Sequence, residues 1–450
     1  MAQGALQYSG ANRIDDLPMS AFQVRTVLLI AMSVVFDGLD NQMLGLAAPA
    51  LLKEWAINRT ELGFVFALGF VGMAFGTLTS GYVGDRFGRR QALLAGVGLF
   101  AIATLLTGFA GTLWQVAVLK TLAGVGLGGV PGTASAMIAE FTPARWRSLA
   151  VTFGVVCVSI GGVIGGLAAA LIVPGLGWRW LFLLGGMATF AFLAILWRAL
   201  PESPTFLANH PARHQEYAAL CQRMGLGITP PSTLSEPSTR PHSDSLPPFT
   251  ALLGHDLRRD SLALSLAMFA GMFMIYLMFN WSPTMLAGAG LDLGSASLGL
   301  TCFNLGGTLG ALASAFVMMR IGSRATLATM AGIGALVCFL LALLPLGPEQ
   351  GKNAMLLGLA VLGLFASAAQ SAMFAVGAHA FPDGLRARGL GLMGAAGRLG
   401  AIVSAIAGAT LVTGNGLFFG ALCALMLLNL AGFLTVRRHI PRLDHKDARA

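Results

Sequence analysis

Four charged side chains stand inside long apolar segments, where ionic groups are rare. Asp37 and Asp40 lie in the first such segment, and Lys120 and Arg398 lie in two later ones. A central Asp costs on the order of 3 kcal/mol to insert into a bilayer, so intramembrane charges usually have a function. Acids can bind and release protons, and cations can hold an anionic group. These four residues have the chemistry needed to couple proton movement to movement of a carboxylate.

The composition indicates what surrounds them. Hydrophobic residues make up 56% of the 450 residues, charged residues only 10%, and the mean hydropathy is +0.76. Soluble domains are about a quarter charged, so a soluble enzyme, a nucleic-acid binder and a disordered protein are excluded. The apolar runs are too long for barrel strands and lack alternation. The sequence therefore predicts an all-α polytopic membrane protein.

Apolar runs bounded by charged residues, Pro or Gly predict twelve spans. The N-terminal half, 25–200, holds spans at 25–51, 61–83, 92–110, 113–139, 148–173 and 179–200. The C-terminal half, 261–436, holds spans at 261–287, 296–319, 325–346, 354–380, 389–412 and 416–436. Residues 1–24 and 437–450 are predicted to be terminal tails. Residues 201–260 are rich in Pro and His and are predicted to form a flexible linker, with a short surface helix over 212–224.

Basic residues predict the orientation. The loops on one side of the membrane hold only Lys53, Arg59, Arg179 and Lys352. Nearly all the other basic residues fall on the opposite side, where the two termini and the linker also lie. Because basic loops stay in the cytoplasm, both termini are predicted to be cytoplasmic, and the net charge of +9 becomes a marker of topology.

The two halves carry a repeated loop pattern. Residues 81–90, after the second span, match residues 315–324, after the eighth, at an offset of 234. Pro143 and Arg147 match Pro382 and Arg386 at an offset of 239. Duplicated halves packed about a central path are typical of secondary transporters.

Several motifs resemble those of the major facilitator superfamily. They are Gly81-x-x-x-Asp85-Arg86-x-Gly88-Arg89-Arg90, Glu140-Phe141-Thr142-Pro143 with Arg147, Gly177-Trp178-Arg179-Trp180, and Pro201-Glu202-Ser203-Pro204. Within it, Asp37-Gly38-Leu39-Asp40 is similar to the Asp-Gly-x-Asp motif of the aromatic acid:proton symporter family. This resemblance implies twelve helices in two pseudo-symmetric halves and proton-driven import of an aromatic carboxylate across a bacterial inner membrane. The sequence departs from the family at Lys120, where Arg is usual, and at Met319, which replaces the acid of the second loop motif.

Roles follow for the intramembrane residues, each with an alternative. Asp37 and Asp40 are three residues apart, hence on nearly one helix face, and we expect them to carry protons; the alternative is a structural pair. Arg398 is expected to hold the substrate carboxylate or to pair with one of these acids. Lys120 either binds substrate or reaches the outer interface. Polar or aromatic residues at useful depth complete the predicted substrate site: Asn280, Trp281, Asn304 and Gln370; helix–helix contact is the alternative for each.

The loop motifs predict a gating set. It comprises Asp85, Arg86, Gly88, Arg89, Arg90, Glu140, Arg147, Arg386 and Arg388. We expect Asp85 to cap a helix or to latch the two halves together, whereas a purely topological role for the charges is the alternative.

Other functional classes fit the sequence less well. It contains no cluster of His, Cys or acidic residues typical of an enzyme or a metal site, and the loops are too short for a signalling domain. We therefore predict a monomeric transporter in the lipid bilayer that needs no cofactor and binds no nucleic acid. Its predicted substrates are protons and a small aromatic acid. Transport of another organic anion, inward or outward, is the alternative.

Overall fold

The computed structural model describes residues 18–226, 252, 254, 257–345, 351–382 and 384–440. This part of the chain contains twelve helices that are long and apolar enough to cross a membrane, so the predicted span count is confirmed. Helices α1 to α6 are Ala21–Trp55, Arg59–Phe87, Arg89–Thr107, Leu113–Phe141, Ala144–Leu176 and Trp178–Ala199. Helices α7 to α12 are Arg258–Gly288, Leu293–Ile321, Ser323–Leu343, Lys352–Ala380, Arg386–Leu411 and Asn415–Thr435.

Several helices extend beyond the apolar runs that predicted them, because capping residues set their ends. At the start of α1, the backbone N–H of Gln23 donates to Ser20 Oγ, and the Ser20 N–H donates back to Gln23 Oε1 at 2.8 Å. This capping box starts α1 four residues before the predicted span. Hydropathy indicates how much of a helix lies inside the hydrocarbon layer, whereas the capping residues determine where its backbone hydrogen bonds begin.

The predicted linker contains ordered structure at its start. Two short helices, Pro204–Ala208 and His214–Arg223, flank a 3₁₀ turn at Pro211–Arg213, close to the predicted surface helix. Most of the remaining linker, 227–251, and of the two tails, 1–17 and 441–450, lies outside the described residues.

The halves share one packing scheme. In the first half, α1 packs on α5, α2 on α4, and α3 on α4 and α6. In the second half, α7 packs on α11, α8 on α10, and α9 on α10 and α12. Each pair in one half has its counterpart six helices later, which agrees with the repeated loops and with pseudo-symmetric halves.

The halves meet through α1 with α7, α2 with α11, and α5 with α8. We call the end of the bundle that carries residues 200–226 the linker face, and the other end the opposite face. Toward the opposite face, the backbones of the two halves come very close. A Cβ at Gly45 would overlap the carbonyl oxygen of Phe279, and one at Gly63 would lie 2.9 Å from the carbonyl oxygen of Ala405.

The glycines nearer the linker face have different surroundings. A Cβ at Gly81 of α2, or at Gly391 or Gly394 of α11, would meet no described atom within 4 Å. The helices that touch across the interface at one end therefore border open space at the other. The structure represents a conformation in which the halves are closed together at the opposite face.

Candidate substrate and proton site

A buried ion pair joins α1 to α4. Lys120 Nζ lies 3.1 Å from Asp40 Oδ2 and 3.3 Å from the carbonyl oxygen of Asp40. Thr104 of α3 donates its hydroxyl proton to the other carboxylate oxygen. Asp40 is 1% exposed and Lys120 is 7% exposed, so the ammonium group does not reach the outer interface. Both charges are compensated inside the bundle.

Asp37 has different surroundings, although it lies one turn earlier on the same helix. It is 4% exposed, and within the described residues its carboxylate makes no hydrogen bond or ion pair. Asp40 and Arg398 are the charged residues that act on it electrostatically. Of the two predicted proton carriers, one is therefore paired and the other is not.

Arg398 extends from α11 of the second half toward α2 of the first. Its guanidinium group lies 3.4 Å from Thr77 Oγ1 and 3.9 Å from Met73 Sδ. Across the part of the chain that the structure describes, no ion pair joins it to Asp37 or to Asp40. Its guanidinium group thus lies at the interface of the halves without a carboxylate partner there.

A small cavity of about 30 Å³ lies beside this charged set. Its walls include Lys120, Asn41 and the rings of Phe66 and Phe70 from the first half, and Asn280 from the second. The volume suffices for about one water molecule. A ring-sized ligand can enter only if the halves move apart.

The other predicted substrate residues lie elsewhere in this conformation. The indole N–H of Trp281 donates to the carbonyl oxygen of Ala405 at 3.1 Å, and its ring packs edge-on against Phe66 with centroids 5.4 Å apart. Gln370 contacts Met268 within the second half, with Nε2 2.9 Å from Sδ. Trp281 thus supports the closed opposite face, and Gln370 packs away from the cavity.

Asn304 belongs to a contact that the sequence did not predict. Its Nδ2 donates to Gln42 Oε1 at 2.8 Å, and Gln42 Nε2 donates to Asn304 Oδ1 at 3.1 Å. Gln42 is fully buried and Asn304 is 1% exposed. The pair joins α1 to α8, hence one half to the other. An amide two residues after Asp40 in an apolar helix was the available signal, because a buried amide needs partners.

At the linker face, the loop motifs assemble within the first half. Arg89 forms an ion pair with Glu140, which also accepts a hydrogen bond from the Ser203 hydroxyl. Glu202 accepts from the backbone N–H groups of Arg90 and Ser203, both at 2.9 Å. The motif at residues 201–204 signalled Glu202 and Ser203, which were not among the predicted gating residues.

Gly88 explains the tight turn between α2 and α3. Its φ of +105° lies in a region that L side chains rarely adopt, and the Glu202 carboxylate occupies the space where a Cβ would stand. Glu202 thus caps the first turn of α3 and ties it to the segment that follows α6.

Other gating candidates make other contacts or lie on another helix. Arg86 donates to the Tyr82 hydroxyl at 2.5 Å, and Arg147 donates to the carbonyl oxygen of Ala139 at 3.1 Å. Arg386 and Arg388 lie in the first turn of α11. Asp85 is exposed, and among the described residues it has no hydrogen bond or ion pair. The expected latch from Asp85 to the second half is therefore not formed in this conformation.

Two six-helix halves that meet around buried acids and bases define a secondary transporter of the membrane. The chain belongs to the Major Facilitator Superfamily, whose family model matches residues 30–351 and 290–450. The resemblance to that superfamily and the expectation of a transporter rather than an enzyme are confirmed.

Two of the sequence relatives are named for aromatic acids. A gallate transporter of Pseudomonas putida is 35% identical over 407 residues, which cover 90% of this chain and 89% of the relative. The 4-hydroxybenzoate transporter PcaK of Pseudomonas aeruginosa is 32% identical over 421 residues, which cover 92% of each chain.

Solved structures share the fold. A D-xylose–proton symporter superposes with a TM-score of 0.69 at 17% identity, covering 94% of this chain and 98% of that one. An inward-open xylose transporter of E. coli gives a TM-score of 0.70 at 18% identity with the same coverage. At this identity the likeness concerns the arrangement of helices.

Proposed function

We propose that this protein imports a small aromatic carboxylate, of the hydroxybenzoate or phenylpropanoate type, together with a proton. The names of its relatives support the substrate class. It acts as a monomer in a bacterial inner membrane, with both termini and the linker face in the cytoplasm. The basic residues of the linker-face turns, including Arg86, Arg89 and Arg90, support this orientation.

The observation that carries the proposal is the balance of charge among four residues, of which Asp37, Asp40 and Lys120 are buried and Arg398 is half-buried. Asp37, Asp40, Lys120 and Arg398 sum to zero when all four are ionised. A proton taken up by the set gives it one positive charge, and a substrate carboxylate returns it to zero. Binding either ion alone leaves an uncompensated charge in a low-dielectric interior, which is costly. Proton and anion therefore cross together.

The geometry supports a separate residue for each of the two binding steps. Asp37 has no ion-pair partner within the described structure, so it takes the proton without breaking the pair of Asp40 with Lys120. The carboxylate of the substrate then binds at Lys120, which lines the cavity, and at Arg398, whose guanidinium fork matches a carboxylate. The neutral complex reorients as the halves rock about the site.

The linker-face cluster lets the first half move as a unit. Glu202, Glu140 and Arg89 connect the α2–α3 turn, the end of α4 and the segment after α6. These connections stay within one half, so they remain intact while the interface opens and closes.

The test separates binding from proton coupling. Purified protein is reconstituted in liposomes, and uptake of labelled 4-hydroxybenzoate, gallate and succinate is measured with an inward proton gradient, with and without a protonophore. We expect uptake of the aromatic acids that the protonophore abolishes. Asp37→Asn, which imitates the protonated state, should keep exchange of internal for external substrate but lose accumulation. Glu54→Gln, at the exposed end of the same helix, is the matched control and should behave like the wild type.

Three results would contradict the proposal or its choice of proton carrier. Accumulation that survives the protonophore would exclude proton coupling. Uptake of succinate in preference to the aromatic acids would place the substrate among other organic anions. Full accumulation by Asp37→Asn together with its loss in Asp40→Asn would move the proton from one acid to the other.

A further inference from the structure

Asn280 has an unusual position in the cavity. Among the residues that line this space, it is the one that comes from the second half, on α7, whereas the charged set and the aromatic rings opposite belong mainly to the first half. It is 3% exposed. Whatever occupies the cavity therefore meets the second half through this amide.

The amide nitrogen of Asn280 is a donor without an acceptor. Within the described residues, Nδ2 is buried and makes no hydrogen bond. Leaving a buried donor unsatisfied is unfavourable, so such groups in a native structure call for an explanation. Because Asn280 also lines the cavity at the interface of the halves, a ligand that supplies an acceptor once the halves separate would satisfy this donor.

The other residues of the cavity indicate which group of the ligand would accept the hydrogen bond from Asn280. Lys120 supplies a cation at the side of Asp40. Phe66 and Phe70 supply aromatic surfaces, and each is packed edge-on against an aromatic residue of α7, namely Trp281 and Tyr276. A carboxylate suits the cation and an aromatic ring suits the phenylalanines. The neutral amide suits a neutral oxygen on the ring.

We propose that Asn280 is a specificity-determining residue that binds a ring hydroxyl of the substrate, so that the carrier selects hydroxylated aromatic acids over unsubstituted ones. This inference rests on the proposed function and adds to it the residue that recognises the ring hydroxyl group of the substrate. Nδ2 donates to the phenolic oxygen, while the carboxylate of the same molecule lies at Lys120. A substrate held at both ends connects the first half to the second, whereas benzoate leaves Asn280 unsatisfied.

The test compares two acids that differ by one hydroxyl group. Uptake of labelled 4-hydroxybenzoate and of benzoate is measured in liposomes, and kcat/KM is determined for each. A site that hydrogen-bonds a substrate hydroxyl discriminates strongly against the analogue that lacks it, so we expect the wild type to prefer 4-hydroxybenzoate by about tenfold or more. Asn280→Leu, similar in size but apolar, should lower kcat/KM for 4-hydroxybenzoate by a similar factor and leave benzoate unchanged or improved.

A matched control and a second variant keep the result interpretable. Asn429 is also buried in the second half with an unpartnered amide atom, but it does not line the cavity, so Asn429→Leu should keep the preference. If Asn280→Leu does not fold, as judged by size-exclusion chromatography, Asn280→Ser takes its place and should lower the preference partially.

The outcomes distinguish this inference from the proposed function. Equal transport of both acids by the wild type would overturn the role of the hydroxyl group while leaving aromatic acid transport intact. An equal loss for both acids in the Asn280 variant would also overturn it, because the amide would then act on the carboxylate or on the ring. Transport of neither acid would instead contradict the proposed function.

Discussion

The amide pair between Gln42 and Asn304 is expected to hold the opposite face closed, and replacing Asn304 by Leu tests this. The substitution removes two buried hydrogen bonds that cross the interface of the halves, of 3.1 and 2.8 Å. Each contributes about 1 kcal/mol net, so the closed conformation should lose about 2 kcal/mol. This corresponds to a roughly 30-fold shift of the equilibrium toward the conformation that is open at the opposite face.

The two members of the pair should not be equivalent. Asn304 Nδ2 also donates to the carbonyl oxygen of Leu300 in its own helix at 2.9 Å. When Gln42 is replaced by Leu, Asn304 therefore keeps one partner, whereas the reverse change leaves both ends of the Gln42 amide unsatisfied. The shift should be smaller for Gln42→Leu than for Asn304→Leu. The double variant should lie closer to the wild type than Asn304→Leu does, because no unpaired amide remains.

Distances between spin labels on the opposite face measure the shift. Asn58, between α1 and α2, and Thr413, between α11 and α12, are exposed and belong to different halves. With the five native cysteines replaced and labels at these positions, double electron–electron resonance should show a long-distance population that grows in the order wild type, Gln42→Leu, Asn304→Leu. Unchanged distances in Asn304→Leu would refute the role of the pair, and the reverse order of the single variants would refute the reasoning from Leu300.

Three further predictions concern other positions. A Cβ at Gly162 of α5 would overlap the amide pair, so Gly162→Ala should open the opposite face in the same resonance measurement, and unchanged distances would contradict this. Glu202→Gln should weaken the cap over Gly88 and lower the melting temperature, because the charge at the start of α3 is lost; an equal effect of an Asp85→Asn control would argue against the cap. Asp292 caps α8, and hydrogen bonds from Ser295 hold the pKa of its carboxyl below the ordinary 3.8. The stabilisation by this cap is fully present at a pH above the ordinary pKa and is lost as the pH falls through the lowered pKa. Asp292→Ala should therefore lower the free energy of unfolding by roughly 1 kcal/mol at neutral pH. On acidification the variant should lose less thermal stability than the wild type does.

Much of the fold could be predicted because its causes are local. Long apolar runs have one stable form in a bilayer, the helix, so twelve runs predicted twelve helices. The positions of the helix ends were harder to predict, as at Ser20, because caps depend on hydrogen bonds that hydropathy does not reveal. The order at the start of the linker was also not predicted, because it depends on the contact that Glu202 makes with the start of α3.

The site shows a similar division. The sequence by itself determined which charges lie within the membrane, because Asp37, Asp40, Lys120 and Arg398 interrupt apolar runs where charge is costly. It could not determine which of them pair, since that depends on how far α1, α4 and α11 lie from one another after packing.

Only the tertiary structure decided the partners. It placed Lys120 against Asp40 and left Asp37 without a partner among the described residues, and it joined Asn304 to Gln42 across 262 positions of sequence. Hydropathy and helix propensity are properties of a single segment. Charge pairing and closure between halves are properties of distances between segments, and those exist only after the helices have packed.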